Sequence, residues 1–294
     1  MSDAMTTAMT TAMKGKVVLV TGATAGIGEV TARELARMGA RVVGVGRDPH
    51  KCAGVSASIK AASGNDDVEF LVADLSSLAQ VRRLAEEFKS KYARLDVLVN
   101  NAGGYFNARQ ESADGIELTM ALNHLNYFVL AHLLLDLLKS SAPARIVNVS
   151  SDAHRNGRID FDDVEMSSGY NGWRMYSQSK LANVLFTYEL ARRLDGSGVT
   201  VNALHPGFVA TNFGHNNGGM MGAVLKLFQR MAAKSPEQGA QTSLHLAASP
   251  EVEGVTGKYF ADQKQVQSTT ASYDEAAAKR LWAWSEEKTG IKVI

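Results

Sequence analysis

Short apolar runs recur along the chain, each closed by glycine or by small polar residues, and amphipathic stretches lie between them. Lys16-Val17-Val18-Leu19-Val20 is a β-branched run with no polar alternation, which predicts a strand buried on both faces. Arg41 to Gly46, Val68 to Ala73, Leu95 to Val99, Arg145 to Val149 and Val199 to Leu204 repeat the pattern. Segments of helical period separate them, so strand and helix alternate from start to finish. That order predicts an α/β fold with a doubly wound, mostly parallel sheet. No change of composition marks a linker, so residues 14–294 read as one domain.

The segments that close the strands carry the chemistry. After the first strand comes Thr21-Gly22-Ala23-Thr24-Ala25-Gly26-Ile27-Gly28, leading into the helical Glu29 to Leu35. A strand, a glycine-rich turn and a helix start form a cradle for a diphosphate. The glycines let backbone approach closely, and free amides at the helix start face the anion. The spacing is Gly-x-x-x-Gly-x-Gly, not the commoner Gly-x-Gly-x-x-Gly. Later strands end in Asn100-Asn101-Ala102-Gly103, in Ser150-Ser151 and at Pro206-Gly207. In an open parallel sheet ligands bind beyond the carboxyl ends of strands, so these segments should line one edge. Tyr176 and Lys180 lie four residues apart at the head of a helical run, on one face. A tyrosine is a poor acid at neutral pH, and a cation beside it would favour its phenolate.

Taken in order, these motifs resemble the classical short-chain dehydrogenase/reductase family over about residues 14–290. Asn123-His124-Leu125, Val149 to His154, Tyr176 to Asn183 and Gly257 to Phe260 resemble most its retinol-dehydrogenase-like and WW-domain-oxidoreductase-like branch. The resemblance implies a single Rossmann-type domain and a catalytic set of Asn123, Ser151, Tyr176 and Lys180. Ser150 competes with Ser151; in the resembled branch the serine lies 25 positions before the tyrosine, which selects Ser151. Tyr176 would exchange a proton with the substrate oxygen while hydride moves to or from nicotinamide, and Ser151 would hydrogen-bond that oxygen. Lys180 would lower the tyrosine pKa and hold the ribose, and Asn123 would anchor a water for proton resupply.

The cofactor site so implied comprises Gly22, Thr24, Ala25, Gly26, Ile27, Gly28, Arg47, Asp74, Leu75, Asn101, Ala102, Gly103, Tyr176, Lys180, Pro206, Gly207, Val209 and Thr211. NAD enzymes place an acidic residue at the end of the second strand, whereas an arginine suits a 2′-phosphate. Here Gly46 stands there, followed by Arg47 and Asp48, which favours NADP(H) over NAD(H). A mobile flap over the substrate pocket is implied at about 211–234. Its apolar Leu225, Leu227, Phe228 and Met231, with Tyr105 and Phe106, suggest a lipophilic ketone, aldehyde or alcohol as substrate. Family members dimerise or form tetramers through two long helices, here placed at 111–139 and 176–195. Two other readings stay open: a non-catalytic NADPH-binding redox sensor, and an epimerase or dehydratase acting on nucleotide sugars. The second suits a longer chain.

Composition narrows the partners. With 31 basic and 30 acidic residues the net charge is +1, and no basic stripe with aromatics points to nucleic acid. The lone Cys52 excludes an intrachain disulfide and a cysteine-rich zinc site, and fits a reducing cytoplasm. His154 and the carboxylates of Asp160, Asp162, Asp163 and Glu165 form no compact metal pattern and read as a solvated polar loop. The first residues, Ala4 to Met13, are too short and polar to cross an apolar layer of about 30 Å. Residues 1–13 read as a flexible extension, with Met13 a possible second start, and the chain as a protein without a membrane span.

Overall fold

A computed structural model describes residues 13–207 and 234–292. Among the described residues the sheet has the strand order β3-β2-β1-β4-β5-β6-β7-β8. These are β1 Val17–Thr21, β2 Arg41–Gly46, β3 Val68–Val72, β4 Val97–Asn100, β5 Ala144–Val149, β6 Val199–His205, β7 Lys258–Ala261 and β8 Lys264–Val266. All neighbours are parallel except β7 and β8, a hairpin whose turn residues Asp262 and Gln263 take positive φ. The order reverses between β1 and β4, so a crevice opens beyond their carboxyl ends.

Strand side chains alternate between two cores. On β1, Val17 and Leu19 join one cluster while Val18 and Val20 join the other. The helices α1 (Gly26–Arg37), α2 (Pro49–Ser63) and α7 (Pro236–Ala248) cover the second face. On the first lie α3 (Leu78–Lys91), α4 (Asn126–Leu133), α5 (Leu135–Ser140), α6 (Gly172–Arg193) and α8 (Glu275–Thr289). Met13, placed in a flexible extension by its sequence, is 3% exposed and packs in the core beside α1. Residues 1–12 and the expected flap, apart from Lys234, lie outside the described residues.

Two expectations change. The helix expected over 111–139 begins only at Leu118 and is broken: one α turn at Leu118–Met120 passes into a π-helical stretch, Ala121–Leu125, before α4 and α5. The wider turn coincides with an inward Asn123 whose amide bonds to the loop after β4 and to α6. The segment between β5 and α6 is not simply solvated. His154 is wholly buried, Val164 and Met166 enter an apolar cluster with α6 and α8, and Glu165 accepts from the Glu117 amide and pairs with Lys288. Asp160 and Asp162 are exposed, as expected. The tail helix α8 lies along α6, so this chain covers with its own C-terminus part of a helix that the resemblance assigns to subunit contact. Among the described residues no helix is long and apolar enough to cross a membrane.

Candidate active site

The turn after β1 is built for close backbone approach. Gly22 and Gly26 have φ of +65° and +56°, a left-handed conformation that costs glycine little. A Cβ on Gly28 would lie 2.3 Å from the Gly22 carbonyl oxygen and 2.4 Å from Asn101 Nδ2. Thr21 knots β1 to β4: its hydroxyl donates to the Val99 carbonyl and accepts from the amides of Asn101 (2.8 Å) and Ala102 (3.0 Å). Asn101 Nδ2 donates to the Thr21 and Gly22 carbonyls, so this side chain braces the turn. The residue before α1, Ala25, is extended and offers no side-chain cap, leaving the first turn, Gly26 to Gly28, without a side-chain acceptor. A narrow glycine cradle facing a positive helix end fits a dinucleotide diphosphate.

At the end of β2, Arg47 is exposed and has no ion-pair partner among the described residues. Asp48 beside it is engaged as the cap of α2, accepting from the amides of His50 and Lys51 at 2.9 and 3.1 Å. Gly46 has no room for a side chain: a Cβ there would lie 2.4 Å from Thr24 Cγ2 and 2.8 Å from Cys52 Sγ. After β3, the Asp74 carboxylate accepts from the amide and hydroxyl of Ser76, and Leu75 is buried.

Across the crevice, β5 delivers the two serines to different tasks. The Ser150 hydroxyl donates 2.7 Å to the Lys180 carbonyl and so supports the backbone of α6. Ser151 caps the short 3₁₀ turn Asp152–Asn156; its hydroxyl accepts from the Ala153 amide at 3.2 Å and hydrogen-bonds Tyr176. Lys180 Nζ donates 3.1 Å to the Val149 carbonyl and stands 5.7 Å from the Tyr176 ring centre. The Asn123 carboxamide donates to the Gly104 carbonyl (3.0 Å) and the Ser179 hydroxyl (2.9 Å), and accepts from the Gly104 amide (2.7 Å). It therefore holds the Gly103–Gly104 loop against α6. Gly103 lets the backbone pass: its Cβ would sit 3.2 Å from Asn123 Oδ1 and 3.4 Å from Lys180 Nζ.

Burial sets the electrostatics. It pushes the Tyr176 phenol up to about 12, against the Ser151 hydrogen bond that favours the phenolate, and pulls Lys180 down to about 8. The phenol's net shift is therefore upward where a lowering was expected, because burial of both groups dominates; the ammonium sits beside the ring with a carbonyl as its partner.

The structure brings Ser151, Tyr176, Lys180 and Asn123 together beside the glycine turn. Pro206 and Gly207 succeed β6 at the same edge, with the Gly207 amide donating 3.1 Å to His205 Nδ1. Val209 and Thr211 lie outside the described residues. Sequence reasoning missed Trp173, whose half-exposed ring is centred 6.0 Å from Tyr176. Its position three residues before Tyr176 on one helix was the available signal. Tyr105 meets Tyr176 edge-on at 6.0 Å.

A profile described as short chain dehydrogenase matches residues 16–221. The chain belongs to the short-chain dehydrogenase family. Retinol dehydrogenase 14 of Mus musculus is 45% identical to it over 291 residues, 95% of this chain and 87% of the relative. Human retinol dehydrogenase 13 is 44% identical over 283 residues, 95% and 86%. Among solved structures, an uncharacterized protein from Mycobacterium Paratuberculosis superposes with a TM-score of 0.77 at 34% identity, covering 96% and 97% of the two chains. The Pseudomonas aeruginosa RhlG/NADP active-site complex gives 0.68 at 32% identity, covering 85% and 95%. As a short-chain dehydrogenase of the retinol-dehydrogenase-like branch, this chain is an oxidoreductase of CH–OH groups that uses a nicotinamide cofactor.

For this short-chain dehydrogenase the cradle gives a direct prediction. Gly28→Ala puts a methyl into the Gly22 carbonyl and should weaken dinucleotide binding about 10–100-fold, the equivalent of 1–3 kcal/mol of overpacking. Titration by protein-fluorescence quenching checks it; unchanged affinity would mean the turn is not the diphosphate site.

Proposed function

We propose that this chain is an NADP(H)-dependent oxidoreductase that interconverts an apolar carbonyl compound and its alcohol, with Tyr176 as general acid and base. The observation that carries the reading is the buried group Ser151–Tyr176–Lys180 at the carboxyl edge of the sheet, the edge that also carries the glycine cradle. When bound, the dinucleotide supplies or accepts the hydride.

This chain's own residues handle the oxygen and the proton. The Ser151 hydroxyl donates to the substrate oxygen and stabilises charge that builds there. A phenol raised to about 12 is protonated at neutral pH, so Tyr176 stands ready to give its proton to that oxygen in reduction. The Lys180 ammonium, one turn away, offsets the phenolate left behind; with its pKa near 8 it also loses charge more readily than a surface lysine. Asn123 acts through position, keeping the Gly103–Gly104 loop and α6 at a fixed distance.

Three features support NADP(H). Arg47 is exposed with no described partner, Asp48 is committed to capping α2, and an acidic side chain at position 46 would collide with Thr24 and Cys52. Arg47→Asp should therefore weaken NADPH about 10–100-fold, the worth of a charge-assisted hydrogen bond, and leave NADH no weaker. An unchanged ratio of the two dissociation constants would remove this argument. An apolar substrate is supported by Tyr105 and the half-exposed Trp173 around Tyr176, and by relatives named for retinol. Steady-state assays with NADPH and NADH over a carbonyl panel, retinal included, test the whole reading. Faster turnover of apolar carbonyls with NADPH is expected; tight NADPH binding with no turnover across the panel would favour a redox sensor instead.

A further inference from the structure

His154 is wholly buried, three residues beyond Ser151, and its imidazole joins two segments 115 positions apart. Its Nε2 lies 3.1 Å from the backbone amide of Thr269, and its Nδ1 lies 2.7 Å from the carbonyl of Ser151. An amide N–H can only donate and a carbonyl can only accept, so the two partners fix the ring chemistry. The lone pair sits on Nε2 and the proton on Nδ1. Tyr259 packs against the ring at 4.7 Å with its hydroxyl 3.3 Å from Nδ1, and leaves little room for the imidazole to turn. Burial keeps the group neutral, since an imidazolium would aim a second N–H at the Thr269 amide.

Ser151 is the residue that needs such a hold. It caps a single 3₁₀ turn, where its carbonyl accepts the His154 amide at 3.1 Å, and its hydroxyl has to point at once away from the Ala153 amide and towards Tyr176. A lone turn at a strand end would otherwise rock, and the hydroxyl with it. We propose that His154 is the positioning residue of Ser151: as the Nδ1–H tautomer it clamps the serine carbonyl to the C-terminal segment at Thr269 and so fixes the direction of the hydroxyl. The inference rests on the reading of Ser151 as the group that holds the substrate oxygen.

Two substitutions in the full-length chain separate this role from packing alone. His154→Phe keeps a ring against Tyr259 and removes both hydrogen bonds, whereas His154→Asn returns an amide N–H near the place of Nδ1. With NADPH and a turned-over carbonyl, His154→Phe should lower kcat about 10–100-fold, as loss of a supporting hydrogen bond behind a working group does, with the NADPH Kd within about twofold. His154→Asn should recover most of that loss. A second readout needs no activity: nitrogen NMR of the seven histidines, with the His154 signals identified by their disappearance in His154→Asn, should give the Nδ1–H tautomer. An Nε2–H or imidazolium pattern overturns the proposal, as do a His154→Asn protein no faster than His154→Phe, two variants at wild-type rate, or a loss confined to NADPH affinity. If the wild-type chain turns over nothing, the proposed function fails, while the tautomer still decides the role of His154.

Discussion

Tyr176→Phe is expected to lower kcat by about 10²–10⁴-fold, the span that a positioned general acid or base contributes. The change removes one oxygen and little else. The ring keeps its edge-on contact with Tyr105, and the Ser151 hydroxyl keeps the Ala153 amide as a partner. NADPH affinity should therefore stay measurable, and thermal stability should move by no more than an ordinary surface substitution, about 0.5 kcal/mol. Parallel measurement of kcat, NADPH Kd and Tm separates the outcomes. A variant that turns over a confirmed substrate at near wild-type rate would show that the proton comes from elsewhere. A variant that loses NADPH binding in step with activity would make Tyr176 a binding residue.

Lys180→Met is expected to move activity and stability in opposite directions. Lys180 is almost fully buried, and among the described residues its hydrogen-bond partner on the strand side is the Val149 carbonyl. Coming down to about 8 from an ordinary 10.5 caps the cost of holding it charged at about 3 kcal/mol. Methionine fills the same channel without a charge, at the loss of one hydrogen bond worth about 1 kcal/mol. The cofactor-free variant should melt about 2–6 °C higher at neutral pH, while kcat falls about 10²-fold or more. The pH dependence comes from linkage. A lysine with a lowered folded-state pKa costs its full amount below pH 8, where the folded protein must carry the charge. The cost shrinks between pH 8 and 10.5, where the unfolded chain binds the proton better. The Tm advantage of methionine should thus fade as pH rises through that window. A lower Tm with no such fading would mean that hydration or unseen partners already compensate the charge, and full activity would sever Lys180 from the chemistry.

Much of this arrangement was legible in the chain because a parallel strand buried on both faces writes itself as an unbroken apolar run. Val17–Thr21, Arg41–Gly46 and Val199–His205 lie within a residue of the runs that announced them. The glycine turn was legible for a related reason: a left-handed Gly22 and a Gly28 that cannot carry a Cβ leave glycine as the residue that fits. The π-helical stretch at Ala121–Leu125 was not, since its apolar composition suits an α-helix equally and the wider turn accompanies contacts made by Asn123 to distant segments. The sign of the Tyr176 shift was misread because spacing reports the nearby ammonium and is silent on burial. His154 looked like part of a solvated loop, because its partners at Tyr259 and Thr269 stand more than a hundred positions away.

The central claim, hydride transfer at this site, is tested most directly in a single turnover. Enzyme saturated with NADPH carrying deuterium at the transferring C4 position is mixed with an excess of an apolar aldehyde, and the alcohol is weighed by mass spectrometry. The account predicts one deuterium on the carbinol carbon from the wild-type chain, and bound, unspent NADPH from Tyr176→Phe. Reduced cofactor that is held tightly yet never yields deuterated alcohol from the wild-type chain would contradict it.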